Sequence, residues 1–279
     1  MFRKILFVVL AVIMVAAVFA GCAAENAEPA GSEDAAVSAE SDWAGIEAEG
    51  KMVIGYTVYD PMNYFDENGE FIGFDTEYAT AVCEYLGIEP DFVEINWDTK
   101  EIELAAGNID AIWNGLTITE ERKENMLFTT PYMKNKQVIV IKKDNADKFK
   151  TTADLADATV SAESGSTGEE SILTNEDMAM CNFVGVTKQT DALLEVMAGT
   201  SDAAVIDFTT ADAMVGEGTD YADLMMIPDI ELSVEEYSVG CRLGSDTADK
   251  INEATEALYA DGTMKALAEK YELEALLYQ

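Results

Sequence analysis

The most constraining feature of this chain is a repeated alternation of short apolar strands with amphipathic helices from about residue 51 onward. Lys51–Tyr56 has the pattern of a strand. Phe74–Leu86 has that of a helix, with Asp75 as its N-cap and Gly87 after its end. Buried strands that alternate with helices predict an α/β fold with mainly parallel sheets. Further strand patterns occur at 91–95, 109–113, 137–141, 159–162, 183–186 and 203–206.

One part of the chain parallels another. Segments 106–115 and 198–207 each follow an apolar helix, turn at a glycine and enter a strand through Asp-Ala. The repeat predicts two similar lobes, and it makes Gly115 and Asp207 equivalent positions at the carboxyl ends of their strands. Ligands of open α/β sheets bind at that edge. The alternative is a coincidence between two common helix-glycine-strand turns.

The charge balance excludes several classes of function. The chain has 279 residues with 17 Lys+Arg against 54 Asp+Glu, a formal net charge of -37, and no His. Nucleic-acid binding depends on Lys and Arg neutralising phosphates, so we expect no such partner. A chain without His has no His-based triad, His general base or His metal site. We also expect no metal and no cofactor.

The N-terminal residues have the pattern of a secretory signal. Arg3 and Lys4 precede an uncharged apolar run from Ile5 to Ala20, and small residues follow before Cys22. A membrane-anchoring helix is the alternative interpretation. Residues 19–22 resemble a bacterial lipobox, in which the cysteine is lipidated and becomes the first residue. The sequence therefore predicts a signal peptide at 1–21 and lipidation of Cys22.

Residues 22–45 are predicted to be a disordered tether. They are rich in Ala, Glu, Ser and Gly without a periodic apolar face, so they bury too little surface to offset the entropy of ordering. Beyond the tether, the chain contains Cys83, Cys181 and Cys241, an odd number. Whether any of them pair is left open by the sequence.

A candidate anion site lies in segment 115–123, where a strand ends and a helix begins with Thr119 as N-cap. Arg122 falls in the first helical turn, where a cation opposes the helix dipole. A guanidinium grips a carboxylate with two parallel hydrogen bonds, so we interpret Arg122 as a carboxylate receptor. The alternative is a solvated Arg122 paired with Glu121 or Glu124.

Asp207 is the complementary candidate. It follows an apolar strand, where a carboxylate facing a cleft binds an ammonium group; an N-cap for the next helix is the alternative. Arg122 and Asp207 from different lobes would bind a zwitterion, of which an α-amino acid is the simplest. The hydroxyl-rich loop 164–168 is either a second group of donors to an anion or an ordinary turn.

Three segments, 73–78, 110–123 and 128–132, closely resemble the polar-amino-acid-binding proteins of bacterial ABC importers, solute-binding protein family 3. The resemblance covers the chain from about residue 46 to the end. It implies an α/β fold of the two-lobed periplasmic-binding-protein type (type II, Venus-flytrap), with two hinge strands near 137–142 and 236–242. The implied division is lobe 1 at 46–140 and 238–279, and lobe 2 at 141–237.

The resemblance also implies roles at matching positions. Arg122 and Thr117 would hold the ligand carboxylate, joined from the second lobe by Ser166 or Thr167. Asp207 and the carbonyl of Gly115 would hold the ammonium group. Two aromatic residues would flank the ligand side chain, although core packing is their alternative role. The full implied ligand-binding set is Tyr59, Trp97, Asn114, Gly115, Thr117, Arg122, Glu163, Ser166, Thr167 and Asp207.

Ligand identity stays open among basic, amide and sulfur-containing amino acids. Many family members carry an Asp where this chain has Tyr56, and that Asp meets a distal amino or amide group. Glu163 stands where a side chain can face that of the ligand, and it favours a hydrogen-bond donor or a cation there. An acidic ligand is the least expected in so negative a chain.

The function implied by the resemblance is binding without catalysis. The protein would be a monomer, lipid-anchored on the extracytoplasmic face of the cell membrane, that delivers an amino acid to an ABC permease and its ATPase. Amino-acid sensing is an alternative. A dehydratase-like or lyase-like relative is another, with Glu163 and Asp207 as the acid-base candidates.

Overall fold

The computed structural model describes residues 41–278. The predicted signal peptide, Cys22 and the tether up to residue 40 lie outside the described residues. Within residues 41–278, no helix has the length and apolar character needed to cross a membrane. In chain order the elements are α1 (Asp42–Glu49), β1 (Lys51–Tyr56), β2 (Tyr64–Phe65), β3 (Phe71–Ile72), α2 (Phe74–Leu86), β4 (Glu89–Glu94), α3 (Lys100–Ala105), β5 (Ala111–Thr117), α4 (Glu120–Lys123), β6 (Met126–Phe128), β7 (Met133–Lys142), β8 (Thr159–Glu163), α5 (Thr167–Thr174), β9 (Asn182–Val186), α6 (Gln189–Ala198), β10 (Ala203–Asp207), α7 (Phe208–Met214), β11 (Leu224–Met226), β12 (Ser233–Arg242), α8 (Thr247–Asp261) and α9 (Thr263–Lys270).

The main sheet consists of two similar halves joined by two long strands. Its order is β4-β1-β5-β12-β7-β10-β8-β9, with β6 on β12 and β11 on β7. Pairing is parallel within β4-β1-β5 and within β10-β8-β9. The strands β12 and β7 are antiparallel to each other and to their outer neighbours. The predicted two-lobed α/β architecture is confirmed. We call the half with β1, β4 and β5 the first lobe and the half with β8, β9 and β10 the second.

Each lobe buries both faces of its sheet. In the second lobe, Ile139 and Val205 lie in one apolar cluster, whereas their neighbours Val138 and Ile206 lie in the cluster on the opposite face. This follows from the alternation of side chains along a strand. In the first lobe, α2 packs on α8, and the ring of Tyr78 meets that of Trp113 edge-on with centroids 4.8 Å apart.

The predicted tether is too long at its C-terminal end. Residues 42–45 form the first half of α1, whose N-cap Ser41 accepts a hydrogen bond from the backbone N–H of Ala44 at 3.1 Å. Trp43 and Ile46 are buried in the first-lobe core, because a spacing of three residues places both on one helix face. The residues before Trp43 are mostly small or polar, so the sequence pattern did not indicate a helix with this short apolar pair.

The N-cap predicted for α2 is also wrong, although the helix has the predicted bounds. Gly73 occupies the N-cap position, and Asp75 is turned into the protein interior. One oxygen of Asp75 accepts hydrogen bonds from the backbone N–H of Gly115 at 2.6 Å and from the hydroxyl of Tyr132 at 2.9 Å. Asp75 therefore supports β5 at the point where that strand reaches the cleft.

The cysteines in the described part of the chain are unpaired. Cys83 and Cys241 are buried, and Cys181 is half-buried. Cys83 and Cys241 pack in the first-lobe core as small apolar residues.

We expect Trp43→Ala to lower the free energy of unfolding by about 3 kcal/mol, because it leaves a cavity where the indole packs under α1. The matched control is Glu47→Ala, an exposed position of the same helix, with an expected change within about 0.5 kcal/mol. Urea denaturation followed by circular dichroism measures both. Equal stability of the two variants would show that α1 does not belong to the folded body.

Candidate functional site

A small, polar cavity lies between the two lobes. It is bounded by the carboxyl-terminal ends of β5 and β10, which carry Gly115 and Asp207, the two positions that the internal repeat makes equivalent. Ten of its lining residues are those predicted from the sequence, and Gln189 is added to them. The lining residues are Tyr59, Trp97, Asn114, Gly115, Thr117, Arg122, Glu163, Ser166, Thr167, Gln189 and Asp207.

Arg122 is held at the cleft by the short helix α4. The hydroxyl of Thr119 accepts the backbone N–H of Arg122 at 3.1 Å, which confirms the predicted N-cap. The guanidinium donates through Nη1 to the carbonyl of Thr117 at 2.8 Å and through Nη2 to the carbonyl of Gly165 at 3.1 Å. The side chain therefore bridges the two lobes through neutral backbone acceptors.

Arg122 is a buried cation without an ion-pair partner among residues 41–278. It is 7% exposed and forms no ion pair with Glu121 or Glu124, so the alternative of a solvated, paired arginine is wrong. Burial lowers the pKa of Arg122, and Glu235 acts against that shift. Because a guanidinium stays charged in proteins, the buried charge remains uncompensated by any direct contact. The arrangement suits an anionic group that enters the cavity.

Asp207 is surrounded by side-chain amides. Its Oδ1 accepts hydrogen bonds from Asn135 Nδ2 at 2.5 Å and from Gln137 Nε2 at 2.7 Å. Its Oδ2 accepts one from the amide of Gln189, whose Oε1 accepts the backbone N–H of Asp207 at 2.9 Å. Asp207 occupies the N-cap position of α7, as the alternative interpretation expects, but its side chain makes no capping hydrogen bond there.

A second buried carboxyl, Glu235, shares these amide donors. Asn135 donates to Glu235 Oε2 at 2.8 Å, Gln137 at 3.2 Å, and the hydroxyl of Thr117 at 3.0 Å. Burial raises the pKa of Asp207, and the negative charge of Glu235 raises it further. A cation placed beside Asp207 would relieve both effects.

The two lobes are in direct contact across the cleft. The ammonium of Lys100 donates to the carbonyl of Gly165 at 2.9 Å, the same oxygen that accepts from Arg122. Lys188 and Glu94 form an ion pair at 2.6 Å. The structure is therefore a closed form.

Tyr59 and Trp97 serve both the core and the cavity. Each is buried, belongs to an apolar cluster of the first lobe and lines the cavity. The hydroxyl of Tyr59 lies 2.5 Å from the hydroxyls of both Thr209 and Tyr237. The ammonium of Lys100 sits 4.7 Å from the ring centre of Trp97. The core and cavity interpretations are thus compatible for both residues.

Asn114 and Thr117 face the cavity, but their polar groups are already engaged. The Asn114 amide donates to the carbonyl of Thr57 and to Asn63, and its oxygen accepts from the Thr57 backbone and hydroxyl. The hydroxyl of Thr117 donates to Glu235. In this closed form both residues position their neighbours.

The second-lobe loop supplies groups with remaining hydrogen-bonding capacity. Ser166 caps α5 by accepting the backbone N–H of Glu169 at 3.2 Å, and the Thr167 hydroxyl accepts from Gln137 at 3.0 Å. Each hydroxyl is an acceptor in these bonds and keeps its own hydrogen for a ligand. Glu163 lines the cavity, and its Oε1 has no hydrogen-bond partner among residues 41–278.

The residues missed from the sequence are the amides around Asp207 and their partner Glu235. Asn135 and Gln137 do carry a signal, because a spacing of two inside an apolar strand places both on one face. Gln189 carries none, since a glutamine at the start of a helix has no distinguishing pattern.

We expect Gly115→Ala to lower the free energy of unfolding by about 3 kcal/mol. Gly115 has φ of 57°, and an added Cβ would lie 2.5 Å from Cε1 of Tyr59. Strain at positive φ and overpacking therefore add. The control is Gly107→Ala, with φ of 75° and nothing within 4 Å of the added Cβ, for which only the strain of about 1 kcal/mol applies. Equal losses in denaturation experiments would contradict the close contact with Tyr59.

We expect the ligand-free protein to lose stability as pH rises from about 5 to about 7. Burial raises the pKa of Asp75 to about 7 and that of Glu163 to about 8, and it raises that of Asp207. The folded state then keeps protons that the unfolded chain has released, so the free energy of unfolding falls with pH. Burial lowers the pKa of Lys100 to about 7. Above pH 7 the unfolded chain therefore keeps a proton that the folded state has released, so this group makes the free energy of unfolding rise with pH.

Denaturation at several pH values measures this slope. No His titrates in the window. Glu163→Gln removes one of the groups and should flatten the slope, whereas the exposed Glu217→Gln should not. A free energy of unfolding that increases from pH 5 to 7 would contradict the raised pKa values.

Comparisons with known proteins agree with this geometry. The family model described as bacterial extracellular solute-binding proteins, family 3, matches residues 52–274. The chain is 28% identical over 231 residues to the L-cystine-binding protein TcyJ of Escherichia coli (strain K12), covering 81% of this chain and 84% of that protein. It is 30% identical over 221 residues to an L-arginine-binding protein of Pseudomonas aeruginosa, covering 76% and 84% respectively.

Among solved structures, the chain is similar to an ABC uptake transporter substrate binding protein from Streptococcus pneumoniae with bound histidine. The TM-score is 0.73 at 32% sequence identity, and the match covers 83% of this chain and 96% of that chain. Together with the two-lobed sheet and the cavity between its halves, the family match over residues 52–274 shows that this chain belongs to the bacterial extracellular solute-binding proteins, family 3.

Proposed function

We propose that this protein captures an amino acid between its two lobes. The observation that carries the proposal is that Arg122 and Asp207, buried groups of opposite charge from different lobes, line one cavity. The ligand carboxylate would bind the guanidinium, and the ammonium group would bind the carboxylate of Asp207. The relatives include proteins that bind cystine and arginine, which supports an amino-acid ligand.

The roles proposed for the other lining residues depend on which of their polar groups are already hydrogen-bonded. Ser166 and Thr167 would donate their free hydroxyl hydrogens to the ligand carboxylate from the second lobe. The carbonyl of Gly115 would accept from the ammonium group. Tyr59 and Trp97 would flank the ligand side chain. Thr117 would hold Arg122 in place, and Asn114 would hold the loop after β1.

Ligand capture would proceed by closure of the lobes. The carboxylate site belongs mainly to the first lobe and the ammonium site to the second, so only the closed form satisfies both ends of the ligand. A ligand that binds the closed form better shifts the equilibrium toward it. The strands β7 and β12 would serve as the hinge, with lobe 1 at 46–140 and 238–279 and lobe 2 at 141–237.

The cellular role would be delivery of the amino acid to an ABC permease with its ATPase. The description of one relative as an ABC uptake transporter substrate binding protein supports this partner. The protein would act as a monomer on the extracytoplasmic face of the membrane. A lipid on Cys22, after removal of the signal peptide 1–21, would anchor it through two or more hydrophobic chains.

The proposed function is binding without turnover. In the closed structure the Asp207 carboxylate is held by amides of three residues, which suits a fixed receptor for an ammonium group more than a proton shuttle. Mass spectrometry of an amino acid incubated with the protein tests this directly. Recovery of the unchanged compound is expected, and the appearance of a product would overturn it.

We expect at least one amino acid to raise the melting temperature of the protein in a panel of the twenty standard amino acids and cystine, because a ligand of the folded state stabilises it by mass action. Arg122→Ala should weaken that binding by about 100-fold or more, since the ligand carboxylate loses its charged partner. The matched control is Lys123→Ala, an exposed neighbour on the same helix.

Calorimetry on folded variants measures the change in affinity, and circular dichroism checks the fold. Unchanged affinity in Arg122→Ala would contradict the assignment of the carboxylate site. If none of the tested amino acids raised the melting temperature, the proposal of an amino-acid ligand would be wrong.

A further inference from the structure

One charged group in the cavity has no role in holding the amino and carboxylate groups of an amino acid. Glu163 ends strand β8 and lines the cavity, and only 4% of its surface is exposed. Its Oε1 has no hydrogen-bond partner among residues 41–278. An unpaired carboxyl buried at this depth is costly, which makes it a candidate for a contact with the ligand.

The charged neighbours of Glu163 leave it unpaired. Asp207, Lys100, Asp191 and Lys188 are the groups that influence it. The Lys100 ammonium donates to the carbonyls of Trp97 at 3.2 Å and Gly165 at 2.9 Å. The Lys188 ammonium is bound to a carboxylate of the first lobe. Both lysines are thus committed to other acceptors, and the two aspartates add negative charge.

The charges that line the cavity are unbalanced. Two carboxyl groups, Asp207 and Glu163, face a single cation, Arg122. The carboxylate and ammonium groups of an amino acid would neutralise Arg122 and Asp207. In its charged form, Glu163 would then remain without a counter-charge unless the ligand side chain supplies one.

The surface next to the cavity is also mainly acidic. A surface pocket that shares Arg122 and Ser166 with the cavity has five acidic lining residues from both lobes against two cations, Lys100 and Arg122. In a protein of net charge -37, such a surface raises the local concentration of cations and opposes anions. The acidic lining residues are Asp98, Glu101, Glu121, Glu169 and Glu170.

We propose that Glu163 selects an amino acid with a positively charged side chain, whose guanidinium or ammonium end binds the Glu163 carboxylate. This inference rests on the proposed function, because it assigns the backbone of the ligand to Arg122 and Asp207. Glu163 lies on the second lobe, so the contact would also favour the closed form.

The protonation of Glu163 adds a measurable signature. Burial raises the pKa of Glu163 to about 8, which favours the protonated carboxyl at neutral pH. A bound cation favours the charged carboxylate, so we expect binding of a cationic side chain to release a proton. Asp207 also titrates in this range, but it responds to the ammonium group of any amino acid. The comparison of arginine with citrulline, its neutral counterpart of similar shape, isolates Glu163.

Isothermal calorimetry on the full-length protein tests the proposal with L-arginine, L-lysine, L-citrulline, L-glutamine and L-cystine as probes. Arginine or lysine should bind at least about 30-fold more tightly than citrulline, and the preference should increase from pH 6 to pH 8.5. Glu163→Gln should reduce the preference to about threefold or less. The control Glu217→Gln, an exposed position of the second lobe outside the cavity, should leave it unchanged.

The outcomes separate this inference from the proposed function. Tightest binding of cystine, glutamine or citrulline, with affinities unaffected by Glu163→Gln, would overturn the role of Glu163 and leave amino-acid capture intact. Binding of none of the probes or standard amino acids would overturn the proposed function itself. If Glu163→Gln does not fold, the arginine-to-citrulline ratio of the unmodified protein and its pH dependence decide, and a ratio near one overturns the inference.

Discussion

The site depends on the antiparallel pairing of β7 with β12, the two strands that join the lobes. Their register places Gln137 opposite Ser233 and Asn135 opposite Glu235. Side chains alternate between faces, so this register brings the amides of Asn135 and Gln137 to Glu235 and Asp207 together. A slip of one residue would turn the amides to the other face and leave two buried carboxyls without donors.

This pairing explains how several acidic groups are buried near one another. Asp207 and Glu235 are held by neutral amide and hydroxyl donors, and Asp75 by a backbone N–H and a tyrosine hydroxyl. Such donors stabilise a carboxylate without supplying a counter-charge. The raised pKa values of Asp75 and Asp207 show that burial outweighs these bonds. A suitably charged ligand at the proposed site would therefore compensate these buried charges.

The carbonyl of Gly165 links recognition to closure. It accepts hydrogen bonds from Lys100 and Arg122, two cations of the first lobe, although Gly165 belongs to the second. Gly165 has φ of 73°, and an added Cβ would lie 2.9 Å from the Cα of Asp98, so only glycine permits this approach. The guanidinium proposed to bind the ligand carboxylate is thus also one of the groups that hold the lobes together.

The amino-acid sequence by itself determined the main strands and helices and the two-lobed class, but it missed α1. The ten residues implied by the family motifs line the cavity. Local periodicity, turn glycines and ordered family motifs are properties of contiguous segments. The tertiary structure decided which polar groups of these residues are already hydrogen-bonded within the protein and which are not. It turned Asp75 from a helix cap into a buried support, engaged Asn114 with its neighbours, added Gln189 and left Glu163 without a partner. Hydrogen-bond partners are far apart along the chain and meet only when both lobes and the β7–β12 register are formed, so no local pattern encodes them.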